Sequence, residues 1–64
     1  MWRFIISLED VPEDCDLIVA VLNEDGFHAL EFPCRWKEGR WIDARKGSLL
    51  DIDPTHWQYW LSAD

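Results

Sequence analysis

Two apolar segments on either side of Asp25-Gly26 constrain the fold more than any other feature of this sequence. Asp-Gly is typical of a two-residue type I′ turn, because both central residues need positive φ and these residue types tolerate it. A turn centred there brings three apolar residues of the first segment opposite three of the second. The pairs are Val21–Leu30, Val19–Phe32 and Leu17–Cys34. Since side chains alternate between the faces of a strand, all six share one face, and we predict a β-hairpin over residues 16–35.

A buried helix through the first apolar segment, residues 17–22, is the alternative. The segment is short and holds the β-branched residues Ile18, Val19 and Val21, which favour strands. Pro12 precedes it and a polar run ending in Gly26 follows it, so turn-forming residues bound the segment on both sides. A strand is therefore the better interpretation.

The rest of the chain also has strand-like patterns. Residues 2–8 alternate, with Trp2, Phe4, Ile6 and Leu8 on one face. Residues 55–61 predict a last strand, with Trp57, Tyr59 and Leu61 on one face and His56, Gln58 and Trp60 on the other. Residues 49–54 have two interpretations: Leu49 and Leu50 pack into the core, or the segment forms a turn at Asp53-Pro54. Pro33, inside the second arm of the first hairpin, predicts a bulge or a sheet edge there.

A second hairpin follows around Lys37-Glu38-Gly39, with two alternatives for its turn. A three-residue loop with Gly39 in the left-handed conformation pairs Trp36 with Arg40 and places Ile42 on the core face. A two-residue turn at Glu38-Gly39 instead pairs Trp36 directly with Trp41. We prefer the first alternative because it buries Ile42.

These patterns predict an all-β or nearly all-β fold in one domain covering residues 1–64. The expected architecture is an antiparallel meander of four to five strands, in a strongly twisted sheet or a small open barrel. A chain this short buries little surface, so its five Trp, three Phe and one Tyr matter for the core. The alternative is that some of these rings are exposed on the surface and bind a partner.

Charge is distributed unevenly along the chain, which has a net charge of −7. Residues 9–31 contain eight acids and no Lys or Arg, whereas residues 35–46 contain five bases. The overall acidity argues against nucleic acid as a partner. The basic stretch is consistent with anion binding or, more simply, with a solvated hairpin facing the acidic segment of the same fold.

Localisation and cofactors are predicted from what the sequence lacks. The N-terminus has no pattern of a signal peptide, and no apolar run approaches the ~18 residues of a membrane span, so we expect a cytoplasmic protein. We expect Cys15 and Cys34 to be free thiols, one of them in the core. A zinc site with His28 or His56 lacks the usual ligand spacing, and we predict no metal and no cofactor.

Several short motifs together resemble a known group of proteins. They are Trp2, Pro12-Glu13-Asp14, the apolar run 17–21, Gly26, Trp36, Gly39-Arg40-Trp41 and Thr55-His56-Trp57. This pattern is similar to a small, tryptophan-rich family of bacterial and prophage proteins, a domain of unknown function with a C-terminal Thr-His-Trp motif. The chain differs from that family after the motif, where residues 58–61 extend the strand instead of a Pro-Leu-Pro-like tail. The resemblance implies a compact domain of bacterial or phage origin and no particular activity.

His56 is the most site-like polar residue. As a general base it needs a nucleophile or a carboxylate nearby, and Asp51 and Asp53 are the closest acids in sequence. A structural role, with the ring packed on Trp and one nitrogen bonded to the backbone, is the commoner arrangement. A small enzyme centred on His56 is therefore the least favoured of our hypotheses.

A non-enzymatic protein-interaction or structural module is the favoured function. In the preferred registers Trp41 and Trp60 lie outside the main apolar face and next to charged or polar residues. Aromatic side chains in such surroundings are typical of surfaces that bind proteins. The predicted binding residues are Trp41, Trp60, Arg40, Arg45 and His56. The alternative to partner binding is that these rings cover the second side of a small sheet or are buried between the two chains of a homodimer. An acidic decoy that mimics nucleic acid and binds a basic partner through residues 9–16 is the second functional hypothesis.

Overall fold

The apolar run after Asp16 forms the central strand of the protein, β2 (Leu17–Asn23). In this computed structural model, which describes residues 1–60, β2 pairs with three other strands. The remaining strands are β1 (Arg3–Phe4), β3 (Gly26–Ala29), β4 (Cys34–Lys37), β5 (Arg40–Asp43), β6 (Leu49–Leu50) and β7 (His56–Tyr59), and a 3-10 turn spans Leu8–Asp10.

All of these strands belong to one antiparallel sheet, which is not closed into a barrel. The strand order is β1-β7-β2-β4-β5-β6, and β3 pairs with β2. The all-β prediction is confirmed. Over residues 1–60 the sheet has seven strands rather than four to five, because the second arm of the first hairpin is divided into β3 and β4 and because Leu49-Leu50 also pairs as a strand.

The core lies on one face of this sheet. Its buried residues are Val11, Leu17, Val19, Cys34, Trp41 and Trp57, and Ile5, Leu30 and Phe32 are among the residues that pack against them. Five of the six residues predicted to share a face are therefore in or against the core, and Val21 is half-buried. Each fully buried aliphatic side chain contributes about 1.5–3 kcal/mol to folding, so a core this small depends on every member.

The turn of the first hairpin lies one residue earlier than predicted, at Glu24-Asp25. Asn23 pairs with Gly26, and Val21 pairs with His28, so the predicted Val21–Leu30 pair is wrong. Gly26 takes the positive φ, +121°, immediately after the two turn residues instead of within the turn. Asn23 Oδ1 accepts a hydrogen bond from the amide of Asp25 at 2.9 Å, which stabilises the turn at this position.

The predicted faces survive because the register shifts by an even number of residues. Near the turn each β2 residue pairs with a partner two positions earlier than predicted, yet Leu17 still pairs with Cys34 as predicted. The second arm must therefore hold two extra residues between β3 and β4. They fall in residues 30–33, where Pro33 lacks the amide proton of a regular ladder, and this is the disruption predicted there.

The second hairpin has the two-residue turn, so the preferred three-residue loop is wrong. Glu38 and Gly39 both have positive φ, 52° and 77°, as a type I′ turn requires. Trp36 pairs with Trp41, and their ring centroids are 5.0 Å apart. This register puts Trp41, with 5% exposure, on the core face and Ile42 on the opposite face.

In residues 2–8 the mixed face, and not the fully apolar one, is turned toward the core. Within this segment only Arg3–Phe4 pairs as a strand, and Ile5 packs against the core. Arg3 lies over the ring of core residue Trp57, with its Cζ 5.5 Å from the ring centroid. The apolar side chains of Phe4 and Ile6 are consequently 62% and 88% exposed. Of the three residues predicted to share a face in the last strand, Trp57 is in the core, Tyr59 is 52% exposed, and Leu61 lies outside the described residues.

Trp41→Ala should unfold the protein or nearly so. Removing this buried indole costs about 3–5 kcal/mol, which matches the whole stability of about 3–5 kcal/mol that a single core of this size provides. Urea denaturation followed by circular dichroism measures the effect. Leu49→Ala, at a 63% exposed position, is the control and should change the free energy of unfolding by no more than about 0.5 kcal/mol. An unchanged urea midpoint in Trp41→Ala would contradict the assignment of this ring to the core.

The two free thiols should differ sharply in reactivity. Burial, and secondarily the charge of Asp43, raises the pKa of the Cys34 thiol to about 11, although Arg45 partly opposes this. At pH 8 only about one Cys34 in a thousand is then a thiolate. A chromogenic disulfide reagent should modify one thiol in the folded protein and both in denaturant. The Cys15→Ser protein should show no fast reaction when folded, and rapid modification of it would disprove this assignment.

Candidate functional site

Opposite the core, the sheet carries a group of apolar and aromatic side chains that we call the outer aromatic face. It comprises Trp2, Phe4, Leu22, Phe27 and His56. Two cross-strand pairs build it: Phe4 of β1 lies opposite His56 of β7, and Leu22 of β2 lies opposite Phe27 of β3. The hairpin of β2 and β3 and the two distant strands β1 and β7 therefore contribute to one surface.

The rings of the outer aromatic face contact one another edge to face. The Phe4 and His56 centroids are 5.2 Å apart at 82°, and those of Phe27 and His56 are 5.4 Å apart at 67°. Trp2 extends the chain of rings, with its centroid 5.2 Å from that of Phe27 at 75°. Such T-shaped contacts each add about 0.5–1.5 kcal/mol beyond area burial, so the rings hold one another in place.

Much of this apolar surface remains exposed. Phe4 is 62% exposed, Leu22 51% and Phe27 44%. Ala20, which lies opposite both His56 and Ala29 on the same side, is by contrast completely buried. The rings thus shield the backbone beneath them, and their outward edges form one contiguous apolar surface.

His56 is held by its neighbour Thr55. The Thr55 hydroxyl oxygen is 2.8 Å from His56 Nδ1 and accepts a hydrogen bond from the Leu22 amide at 2.9 Å. These contacts fix the imidazole between the rings of Phe4 and Phe27. The arrangement is that of a packed histidine. Within residues 1–60, no three His, Cys, Asp or Glu side chains are grouped so that they could hold a metal ion.

The other four predicted binding residues are not brought together with His56. Trp41 is in the core. Arg40 is exposed opposite Lys37 in the second hairpin, and Arg45 lies in the loop that follows β5. Trp60 is half-buried, and its amide donates a hydrogen bond to the Asp16 carbonyl at 3.0 Å. Trp41 was expected off the main apolar face because the three-residue loop was preferred, and that expectation is wrong.

Arg45 has a structural role around the buried Asp43. The Asp43 carboxylate accepts hydrogen bonds from the Arg45 amide at 2.8 Å and from its guanidinium at 3.1 Å. The guanidinium carbon also lies 4.4 Å from the ring centroid of Phe32. The hydrogen bonds from Arg45 hold the pKa of Asp43 below its usual value. This carboxylate, 4% exposed, therefore organises the loop after β5.

The basic stretch faces the acidic segment of the same chain. Arg35 Nε is 2.7 Å from Asp16 Oδ1, and Lys37 Nζ is 3.6 Å from Asp14 Oδ1. Each of these groups is about half exposed, so each pair is worth little in stability. The simpler interpretation of the basic stretch, as a hairpin that faces the acids, agrees with this arrangement.

Sequence reasoning missed Trp2, Phe4 and Phe27 as surface residues. One signal for Trp2 and Phe4 was present in the sequence. The mixed face of residues 2–8 also contains the apolar residue Ile5, so alternation alone did not decide which face meets the core. Phe27 lies on the side away from the core in the predicted register as well, because a shift of two residues leaves the faces unchanged, but it was not predicted to bind a partner. Its exposure follows from the register in which it pairs with Leu22.

No protein-family model, curated protein or solved structure matches the chain. The resemblance to the tryptophan-rich bacterial and prophage family therefore remains a prediction from short motifs. In the part of the chain that the structure describes, no helix has the length and apolar character needed to cross a membrane.

Asp43→Asn should lower stability at neutral pH, and the loss should shrink in acid. A carboxylate with a depressed pKa in the folded state stabilises the protein above its unfolded pKa of about 4, and this contribution disappears as the pH falls through the lower folded value. Urea denaturation of both proteins between pH 7 and pH 2 measures the difference. The exposed Asp51→Asn serves as the control and should show no such trend. A constant difference across this range would rule out the charge of Asp43 as the cause.

Proposed function

We propose that the protein is a non-enzymatic protein-interaction module that binds a partner protein through the outer aromatic face. The observation that carries this proposal is the exposure of Phe4, Leu22 and Phe27 on one surface. Protein-binding surfaces are enriched in aromatic anchors at the centre of an apolar patch.

The rigidity of the face supports a binding role. Phe27 contacts both Trp2 and His56, and His56 is in turn fixed by Thr55. Side chains already held in place lose little conformational entropy on association, so less of the interaction free energy is spent on ordering them. A cluster of this kind is preorganised for a partner with complementary apolar side chains.

Charge indicates the chemistry of the partner. The net charge is −7, and the turn that joins the Leu22–Phe27 pair contains Glu24 and Asp25. Arg3, on the same half of the sheet, lies over Trp57 on the core side. We infer a partner segment with aromatic or aliphatic anchors and Arg or Lys beside them, since opposite charge accelerates encounter and selects orientation. The same net charge on two copies disfavours a homodimer.

The remaining hypotheses have less support. The acidic decoy depends on residues 9–16, but Asp14 and Asp16 already pair with Lys37 and Arg35 of the same chain. An enzyme centred on His56 needs a carboxylate to orient the imidazole, but within the described residues neither Asp51 nor Asp53 is hydrogen-bonded to it, and it packs between two Phe rings. The proposal keeps the cytoplasmic location predicted from the sequence, and it keeps the bacterial or phage origin that the resemblance implies.

A random peptide display library selected on the purified protein tests the proposal. Selected peptides should combine aromatic or aliphatic residues with Arg or Lys, and a synthetic copy should bind in isothermal titration calorimetry. Phe4→Ser and Phe27→Ser should each weaken that binding by about tenfold or more, as expected for residues at the centre of an interface. Binding should also weaken as the salt concentration rises.

Leu49→Ser is the matched control, because Leu49 is 63% exposed and belongs to β6 at the far end of the sheet. It should leave the affinity unchanged, and all three variants should keep a cooperative urea transition. Equal affinity of the wild type, Phe4→Ser and Phe27→Ser would refute the outer aromatic face as the binding surface. So would a dimer in sedimentation velocity that Phe4→Ser converts to a monomer, because the face would then belong to a homodimer.

A further inference from the structure

A second surface feature lies apart from the outer aromatic face, between the segment around the 3-10 turn and the second hairpin. It is a groove of about 270 Å³ lined by Leu8, Glu9, Val11, Glu13, Trp36 and Gly39. The proposed function uses none of these residues. Trp36 belongs to the side of β4 that faces the core, whereas the outer aromatic face is on the other side of the sheet.

One backbone hydrogen bond and one hydrogen bond to a side chain fix the two walls of the groove relative to each other. The Asp14 amide donates to the Trp36 carbonyl at 3.2 Å, and the Glu38 amide donates to Glu13 Oε1 at 3.2 Å. The indole of Trp36 packs against that of Trp41, with centroids 5.0 Å apart. On the other wall, Ser7 caps the 3-10 turn by accepting a hydrogen bond from the Glu9 amide. The groove is therefore preformed.

The groove combines an aromatic wall, an apolar floor and negative charge. Trp36 is half-buried, Val11 is 4% exposed and Leu8 is 44% exposed. Glu9 and Glu13 are both exposed acids, and none of the six lining residues is basic. Lys37 and Arg40, which follow Trp36 and Gly39 in the sequence, pair with each other across the hairpin, on the face opposite Trp36, and Lys37 also pairs with Asp14. An anionic ligand is excluded from such a site by repulsion, and an organic cation is attracted to it.

We propose that this groove binds an arginine side chain of a partner protein. A planar guanidinium stacks on an indole and pairs with carboxylates through several N–H donors, which a lysine ammonium does with less geometric complementarity. The methylene groups of the same side chain lie against Leu8 and Val11. Charge complementarity between Glu9, Glu13 and the guanidinium selects this occupant over an uncharged one.

Nα-acetyl-arginine amide is a suitable probe, and its citrulline counterpart has the same shape without the charge. In a ¹H–¹⁵N NMR titration at low salt, the arginine probe should shift the Trp36 indole N–H and the Gly39 amide in a saturable manner, with a dissociation constant of about 1–10 mM. The citrulline probe should produce no saturable shift. The lysine counterpart should bind more weakly than the arginine probe.

The double variant Glu9→Gln, Glu13→Gln should weaken binding of the arginine probe by about threefold or more, because two exposed ion pairs are lost. Glu13→Gln keeps a side-chain oxygen that accepts from the Glu38 amide, so the groove is retained. Asp51→Asn, Asp53→Asn makes the same change in net charge at two exposed acids that belong to neither surface, and it should leave the affinity unchanged. The absence of saturable shifts, equal binding of citrulline, lysine binding as tight as arginine, or equal weakening by both double variants would each overturn the proposal.

These outcomes are independent of the outer aromatic face. The probe is a single amino acid derivative, and the residues tested differ from Phe4 and Phe27. The peptide selection and the arginine titration can therefore fail separately.

Discussion

The pairing of Val19 with Trp57 is the contact on which the rest of the structure depends. It joins the second strand to the last one, across most of the described chain, and places two buried side chains on the core face. Because β2 also pairs with β3 and β4 on its other side, the loss of this contact would separate β1 and β7 from the remaining sheet. Such non-local pairing carries a large loop-closure cost, which the dense aromatic core must offset.

The same pairing creates both faces of the protein. When Val19 and Trp57 point into the core, the neighbouring pair of Ala20 and His56 must point outward. His56 then meets Phe4 of β1 and Phe27 of β3. The core and the outer aromatic face are thus two consequences of one register. Within the described residues no second layer covers this sheet, so one of its faces lies in water. Here that face carries apolar rings, which limit their own exposure by packing on one another.

Turn chemistry accounts for the differences between expectation and structure. In the first hairpin the turn moved by one residue and the register by two, so the predicted faces were still correct. In the second hairpin the alternatives differed by one residue, and a one-residue difference reverses the faces of a strand. Trp41 moved into the core and Ile42 away from it for that reason alone. The groove beside Trp36 depends on the same turn, since the pairing of Trp36 with Trp41 sets the position of its indole.

By itself the sequence determined the β class, the existence of both hairpins and the apolar face shared by Leu17, Val19 and Phe32, because alternation and turn residues are local properties. It also indicated the interruption at Pro33. Only the tertiary structure decided which face of residues 2–8 points inward, that Trp41 lies in the core, that Phe27 pairs with Leu22, and that Arg45 binds Asp43. Alternation defines two faces of a strand but does not say which one meets the core. That choice is made by the neighbouring strands, which are distant in sequence.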